Sequence, residues 1–199
     1  MQLALPLLDA GEDASRIVVG APNAAAVQAL AKPSAWPFGT AILAGPPRSG
    51  KTLLGRWFAA QHPAAEVVDE AERVPEADLF HVWNRVQERG CPLLLITGDE
   101  AWQVSLADLR SRLAAALHLT VELPDDAMLA SLIDLHAERR RLALGEGAAT
   151  YLAARVGRSY AAAEAVVAEI DRLSLQRKVA PTRAIWREAL EQPERSRLW

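Results

Sequence analysis

Eight consecutive residues of this 199-residue chain have the types and spacing of a phosphate-binding loop. The stretch Gly45-Pro46-Pro47-Arg48-Ser49-Gly50-Lys51-Thr52 matches the pattern G-x-x-x-x-G-K-[ST], with Arg48 at a position where glycine is common. In such a loop, backbone N–H groups and a helix N-terminus face phosphate oxygens, the lysine reaches the outer phosphates, and the hydroxyl binds Mg²⁺. The pattern therefore predicts a site for ATP or ADP.

A carboxylate pair has the right position to complete such a site. Asp69 and Glu70 directly follow the short apolar run Glu66 to Val68. In P-loop ATPases, one carboxylate at the end of a neighbouring strand holds the metal and a second polarises the attacking water. We expect Thr52 and Asp69 to hold Mg²⁺, and Glu70 to act on the water.

The run Leu93 to Ile96 is also followed by polar residues, among them Thr97 and Asp99. Ligands bind at the carboxyl ends of parallel strands in α/β folds, so these side chains are candidates for contact with the γ-phosphate. A Gly-Asp turn that merely ends the strand explains the same residues as well.

The remaining pattern predicts an α/β part followed by an all-helical part. The apolar runs are short, lack alternation and are separated by helical periodicity, which is typical of buried parallel strands. We expect strands at Thr40 to Ala44, Glu66 to Val68, Pro92 to Ile96 and His118 to Leu123, and helices at Asn23 (as N-cap) to Ala31, Lys51 to Gln61 and Glu76 to Arg89. Strand signals stop after Leu123, which predicts an extended arm over 1–15, an α/β domain over 16–123 and a helical domain over 124–199.

Composition excludes several other classes of protein. The single cysteine, Cys91, cannot form an internal disulfide, and no segment approaches the roughly 18 apolar residues of a membrane span. A net charge of −3 argues against strong direct DNA binding. We expect a cytoplasmic protein with no membrane partner.

The order of these motifs resembles the AAA+ proteins of the DnaA lineage and, within it, the small Hda-like regulators of replication initiation. The motifs begin with the stretch Ile17-Val18-Val19-Gly20-x-x-Asn23 and the loop. The more specific parts are Leu109-Arg110-Ser111-Arg112-Leu113 and Asp171-Arg172-Leu173-Ser174-Leu175-Gln176-Arg177-Lys178. The resemblance implies an AAA+ parallel sheet with a C-terminal helical lid. It also implies adenine contacts from Ile17 and Val18, a γ-phosphate sensor at Asp99, and an arginine finger at Arg112, with a homodimer possible.

The N-terminus adds a candidate partner. Residues Gln2-Leu3-Ala4-Leu5-Pro6-Leu7 resemble the peptide with which Hda-like proteins bind the DNA polymerase sliding clamp. By that resemblance the Gln2 amide bonds the clamp, and Leu3, Leu5, Pro6 and Leu7 occupy an apolar pocket. The implied partners are the β-subunit clamp and DnaA.

Two departures from the AAA+ pattern limit what the resemblance implies. Only 17 residues separate Lys51 from Asp69, too few for the strand and helix that AAA+ domains place there, so the sheet should be shortened. The lid arginine expected near Ala161 is absent, which predicts weak or no ATPase activity of the chain itself and favours action in trans on DnaA-bound ATP. The alternatives are a self-contained P-loop ATPase or phosphotransferase, and an adaptor with an inactive nucleotide site.

Overall fold

The computed structural model describes residues 17–98 and 102–191 of the chain. Its sheet has four parallel strands in the order β2-β3-β1-β4. The bounds are β1 Thr40–Ala44, β2 Glu66–Val68, β3 Leu93–Ile96 and β4 Leu117–Thr120. The parallel sheet expected from the apolar runs is confirmed, although the last strand begins one residue earlier than predicted and ends at Thr120.

The two central strands carry the most apolar sequences. Strands β1 and β3 pair through Ile42 and Leu95, and β3 is buried along its whole length. Strands β2 and β4 have one neighbour each within the described residues and are only partly buried. A continuous apolar run is what a strand covered on both faces requires.

Four helices accompany the sheet, with bounds α1 Ala21–Leu30, α2 Lys51–Gln61, α3 Glu76–Arg89 and α4 Ala107–Ala114. Helix α2 lies very close to the sheet at Gly55. A Cβ added there would come within 2.5 Å of Ile96 Cδ1 and 3.3 Å of Val67 Cγ1. The missing side chain therefore lets the helix that follows the loop approach β2 and β3.

The shortened sheet is present. Helix α2 ends at Gln61 and β2 begins at Glu66, so no further strand and helix fit between them. Ion pairs connect β2 to α3 instead. Arg85 Nε and Nη2 donate to the two carboxylate oxygens of Glu66 at 2.9 and 2.5 Å, and Arg89 Nη1 lies 3.5 Å from Glu66 Oε1. These cations hold the pKa of Glu66 below its usual range, chiefly through the hydrogen bond from Arg85.

The chain divides into two compact units, the first ending at Glu122 and the second beginning at Leu123. The second contains α5 Asp126–Arg139, α6 Ala148–Ala153, α7 Tyr160–Arg177 and α8 Arg183–Glu191, packed around their own apolar core. Side chains cap two of these helices. Asp125 accepts from the Met128 N–H at 2.7 Å, and Ser159 accepts from the Ala162 N–H at 3.1 Å. Within residues 17–98 and 102–191, no helix has the length and apolar character needed to cross a bilayer.

Candidate functional site

The predicted phosphate-binding loop joins the end of β1 to the first residue of α2. Three of its residues adopt positive φ: Gly45 at 155°, Arg48 at 61° and Gly50 at 84°. This is the reason that glycine is common at the Arg48 position, since the left-handed region disfavours a residue with a Cβ. The turn leads directly into the helix at Lys51, so the N-terminal N–H groups and the helix dipole lie beside the loop.

Three features of the loop fit a phosphate group. Lys51 Nζ donates to the carbonyls of Gly45 at 2.6 Å and Pro46 at 2.9 Å, which holds the ammonium over the loop. The Ser49 hydroxyl is buried and has no hydrogen-bond partner among the described residues. Apart from Gly50 and its chain neighbours, no heavy atom of the described residues lies within 4 Å of the position that a Cβ on Gly50 would take. A buried, unsatisfied hydroxyl is costly, and a bound oxyanion would satisfy it.

The first glycine of the loop is fixed by close packing. A Cβ on Gly45 would lie 2.7 Å from the carbonyl oxygen and 3.0 Å from Cβ of Val121, just after β4. The backbone here has φ of 155°, and the Val121 N–H donates to the Ala44 carbonyl at 2.8 Å. The first residue of the loop therefore packs directly against the backbone of Val121, which leaves no room for a side chain.

Asp69 and Glu70 follow β2 at the same edge of the sheet as the loop, because all the strands are parallel. Strand β3 lies between β1 and β2, so about 10 Å separates the two strand ends. Both carboxylates are exposed; Asp69 accepts from the Glu70 N–H at 3.0 Å, and Glu70 pairs with Arg73 at 2.8 Å. This carboxylate edge suits a metal that is also bound by phosphate oxygens. Within residues 17–98 and 102–191, no group of three His, Cys, Asp or Glu side chains could hold a metal by itself.

The end of β3 lies between these two parts of the site. Thr97 is buried and donates to the Gly98 carbonyl at 3.2 Å, and the Gly98 N–H donates to Glu72 at 3.0 Å. The predicted sensor Asp99 falls outside the described residues.

The predicted adenine contacts, Ile17 and Val18, are half-buried and precede α1. The prediction that Asn23 caps this helix is wrong: the helix begins at Ala21 with Gly20 as N-cap. Asn23 is the third helical residue, and its amide reaches back to the cap. Gly20 has no side chain to complete a capping box, so only the bond from the Gly20 N–H to the Asn23 amide oxygen is made.

The predicted arginine finger makes three contacts within its own chain. The Arg112 Cζ atom lies 4.2 Å from the centre of the Phe80 ring and 4.1 Å from that of Trp83. Its Nη1 donates to Asn84 Oδ1 at 2.6 Å. These three residues lie on one face of α3, at the helical spacing of i, i+3 and i+4. No local sequence signal connects these three residues with Arg112.

The remaining predicted residues fall in three places: the N-terminus, the loop and α7. The proposed clamp-binding residues Gln2, Leu3, Leu5, Pro6 and Leu7 are all outside the described part of the chain. Pro47 and Thr52 are exposed at the loop. Ala161, where a lid arginine was expected, is an exposed residue in the first turn of α7.

A scan against models of known protein families finds no match, and no curated protein matches the chain in sequence. Solved structures do match. Domain III of the Thermotoga maritima replication initiation protein DnaA superposes with a TM-score of 0.71 at 14% identity, covering 88% of this chain and 95% of that one. The fold is that of an AAA+ ATPase domain.

Two further AAA+ structures support this assignment. The Thermotoga maritima RuvB Holliday junction branch migration motor gives a TM-score of 0.61 at 17% identity, covering 87% of this chain and 69% of that one. A replication initiator DnaA bound to AMPPCP and single-stranded DNA gives 0.62 at 14% identity, covering 86% and 66%. At such identities the likeness is one of fold.

Proposed function

We propose that the chain is an Hda-like regulator of replication initiation that holds an adenine nucleotide, binds the sliding clamp, and stimulates hydrolysis of ATP bound to DnaA. The observation that carries the nucleotide part is the loop, where a buried unpaired Ser49 hydroxyl and a helix N-terminus lie beside Lys51. Likeness to domain III of DnaA over 95% of that domain supports the choice of lineage.

In the proposed site, the loop N–H groups and Lys51 bind the phosphates of ADP or ATP, and Ile17 and Val18 contact adenine. Thr52 and Asp69 hold Mg²⁺, which would neutralise phosphate charge when bound. Binding requires only these groups, whereas hydrolysis by the chain itself also requires Glu70 and the sensor at Asp99. The exposed Arg73 pairs with Glu70, and α7 has Ala161 in place of a cation, which favours retention of nucleotide over turnover.

The action on DnaA is assigned to Arg112. A guanidinium placed beside a transferring phosphate stabilises the charge of the transition state. Because Phe80 and Trp83 hold this group in the free chain, docking of DnaA must exchange the two rings for phosphate oxygens.

Clamp binding and trans action are tested separately. Purified full-length chain should be captured by immobilised sliding clamp, and replacement of Gln2 and Leu3 with Ala should abolish capture while nucleotide binding persists. Release of phosphate from ATP-loaded DnaA on clamp-bound DNA should rise when the chain is added and should not rise with Arg112→Ala. Unchanged capture of the Gln2 and Leu3 variant would refute clamp binding through the N-terminus. Full stimulation of phosphate release by Arg112→Ala would refute its role as the arginine finger.

The second candidate is a self-contained P-loop ATPase, favoured by the position of Asp69 and Glu70 at the loop edge of the sheet. It predicts steady ATP turnover by the isolated protein that disappears in Glu70→Gln. Absence of turnover in the wild-type chain would exclude it.

A further inference from the structure

The side-chain amide of Asn23 makes one hydrogen bond more than a helix cap requires. Its Oδ1 accepts from the Gly20 N–H at 2.9 Å, which is the capping interaction. Its Nδ2 donates to the Val18 carbonyl at 2.9 Å, five residues upstream and outside the helix. Asn23 is buried, with 3% of the residue exposed, and its partners Val18 and Gly20 are half-buried. The amide thus fixes the direction of the peptide groups between Val18 and Gly20.

The same segment is connected to the phosphate-binding loop through backbone. The Pro22 carbonyl accepts from the Glu122 N–H at 2.9 Å. The preceding residue, Val121, bonds the Ala44 carbonyl and contacts Gly45 so closely that a Cβ would not fit. Each link joins backbone groups at short distance, so the Val18 segment has a set position relative to the first glycine of the loop.

We infer that Asn23 is a positioning residue for the nucleotide base: it holds the Val18 peptide at the place where adenine binds, while the loop holds the phosphates. The inference rests on the proposed function, which places Ile17 and Val18 beside the base. An amide is suited to the task because it donates to Val18 and accepts from Gly20 at once. A carboxylate of the same shape keeps the bond to Gly20 but cannot donate to a carbonyl.

The test compares two ligands, because one reports on the base and the other on the loop alone. Calorimetry with Mg²⁺ measures the dissociation constants of ADP and of inorganic pyrophosphate for the full chain and for Asn23→Asp. A carboxylate in the first helical turn favours the helix dipole, so the variant should fold. We expect ADP to bind about tenfold more weakly, corresponding to about 1.4 kcal/mol, with pyrophosphate affinity changed less than about twofold.

Two further variants separate positioning from stability. Val27→Ala removes a buried side chain of α1 that makes neither bond, and it should lower stability while leaving the ratio of the two dissociation constants unchanged. Asn23→Ser keeps a hydroxyl acceptor at the helix start but is too short to bond Val18 as well, so it should reproduce the loss seen with Asn23→Asp.

Several results would overturn the inference. Equal weakening of ADP and pyrophosphate in Asn23→Asp would make the residue a general support of the fold. Unchanged ADP affinity in both Asn23 variants would remove any role in base binding. A wild-type chain that binds pyrophosphate as tightly as ADP would overturn the inference and leave the phosphate site intact, whereas failure to bind either ligand would also overturn the proposed nucleotide function.

Discussion

Two glycines of the phosphate-binding loop should respond very differently to the same substitution. Both have positive φ, 155° at Gly45 and 84° at Gly50, so alanine is strained at either position. They differ in their surroundings. A Cβ at Gly45 meets the Val121 carbonyl oxygen at 2.7 Å, whereas a Cβ at Gly50 meets no atom within 4 Å among residues 17–98 and 102–191, its chain neighbours apart. The pair therefore separates steric overlap from backbone strain.

The expected magnitudes follow from these distances. Gly50→Ala carries only the backbone cost, about 1 to 2 kcal/mol of unfolding free energy. Gly45→Ala carries a similar cost of about 1 to 3 kcal/mol and, because backbone atoms cannot move aside as a side-chain end can, about 1 to 3 kcal/mol more for overlap. Gly45→Ala should therefore lose about 2 to 6 kcal/mol of unfolding free energy in total. Phosphate binding should show the opposite ranking: Gly50→Ala should weaken it more than Gly45→Ala does, because the added methyl group occupies space beside the phosphate.

Urea denaturation followed by circular dichroism measures the stability difference, and calorimetry with pyrophosphate measures binding. The difference in unfolding free energy between the two variants should be about 1 to 3 kcal/mol. If Gly45→Ala proves as stable as Gly50→Ala, the close approach to Val121 does not constrain the loop, and the reasoning about a fixed loop start is refuted.

Three further predictions concern single contacts. Arg112→Ala should cost about 1 to 3 kcal/mol of unfolding free energy, since it removes two ring contacts and a hydrogen bond, and a cost near zero in urea would mean that these contacts do not persist in solution. The lowered pKa of Glu66 stabilises the fold above the ordinary glutamate pKa of about 4.3, and this stability is lost as the pH falls through the lower, folded-state pKa. Glu66→Gln should thus flatten the acid unfolding profile as the pH falls below about 4.3, and an unchanged profile would argue against this role of Glu66. Asp125→Ala should destabilise the second unit by about 1 kcal/mol, because it removes the side-chain cap of α5. An unchanged melting temperature would contradict this prediction.

The sheet and the loop were predictable because their signals are local. Continuous apolar runs such as Leu93 to Ile96 indicate covered strands, and the interval between Lys51 and Asp69 is short enough to reveal the shortened sheet. The predicted start of α1 is wrong because Asn is a common N-cap. Here Gly20 takes the cap position, and Asn23 lies at the third helical position with its Oδ1 accepting from the Gly20 N–H.

The partners of Arg112 were not predictable because 28 or more residues separate it from the α3 face that binds it. Charge and motif position suggested a group presented to another subunit. Aromatic residues at Phe80 and Trp83 fit equally well with ordinary core packing, and only the docking of α4 on α3 brings the guanidinium between them. Contacts of this kind depend on tertiary structure.

The groups proposed for hydrolysis differ in how firmly the chain holds them. Glu70 is paired with Arg73 by an exposed ion pair, which contributes about 0 to 1 kcal/mol and is exchanged at little cost. Arg112 is held by two rings and an amide, worth about 1 to 3 kcal/mol, so at equilibrium the guanidinium leaves them in about 15% to less than 1% of molecules. The phosphates of a docked partner offset that cost, whereas a free chain has nothing to offset it. Of the two groups, the arginine is therefore the one whose action should depend on assembly with DnaA under the proposed function.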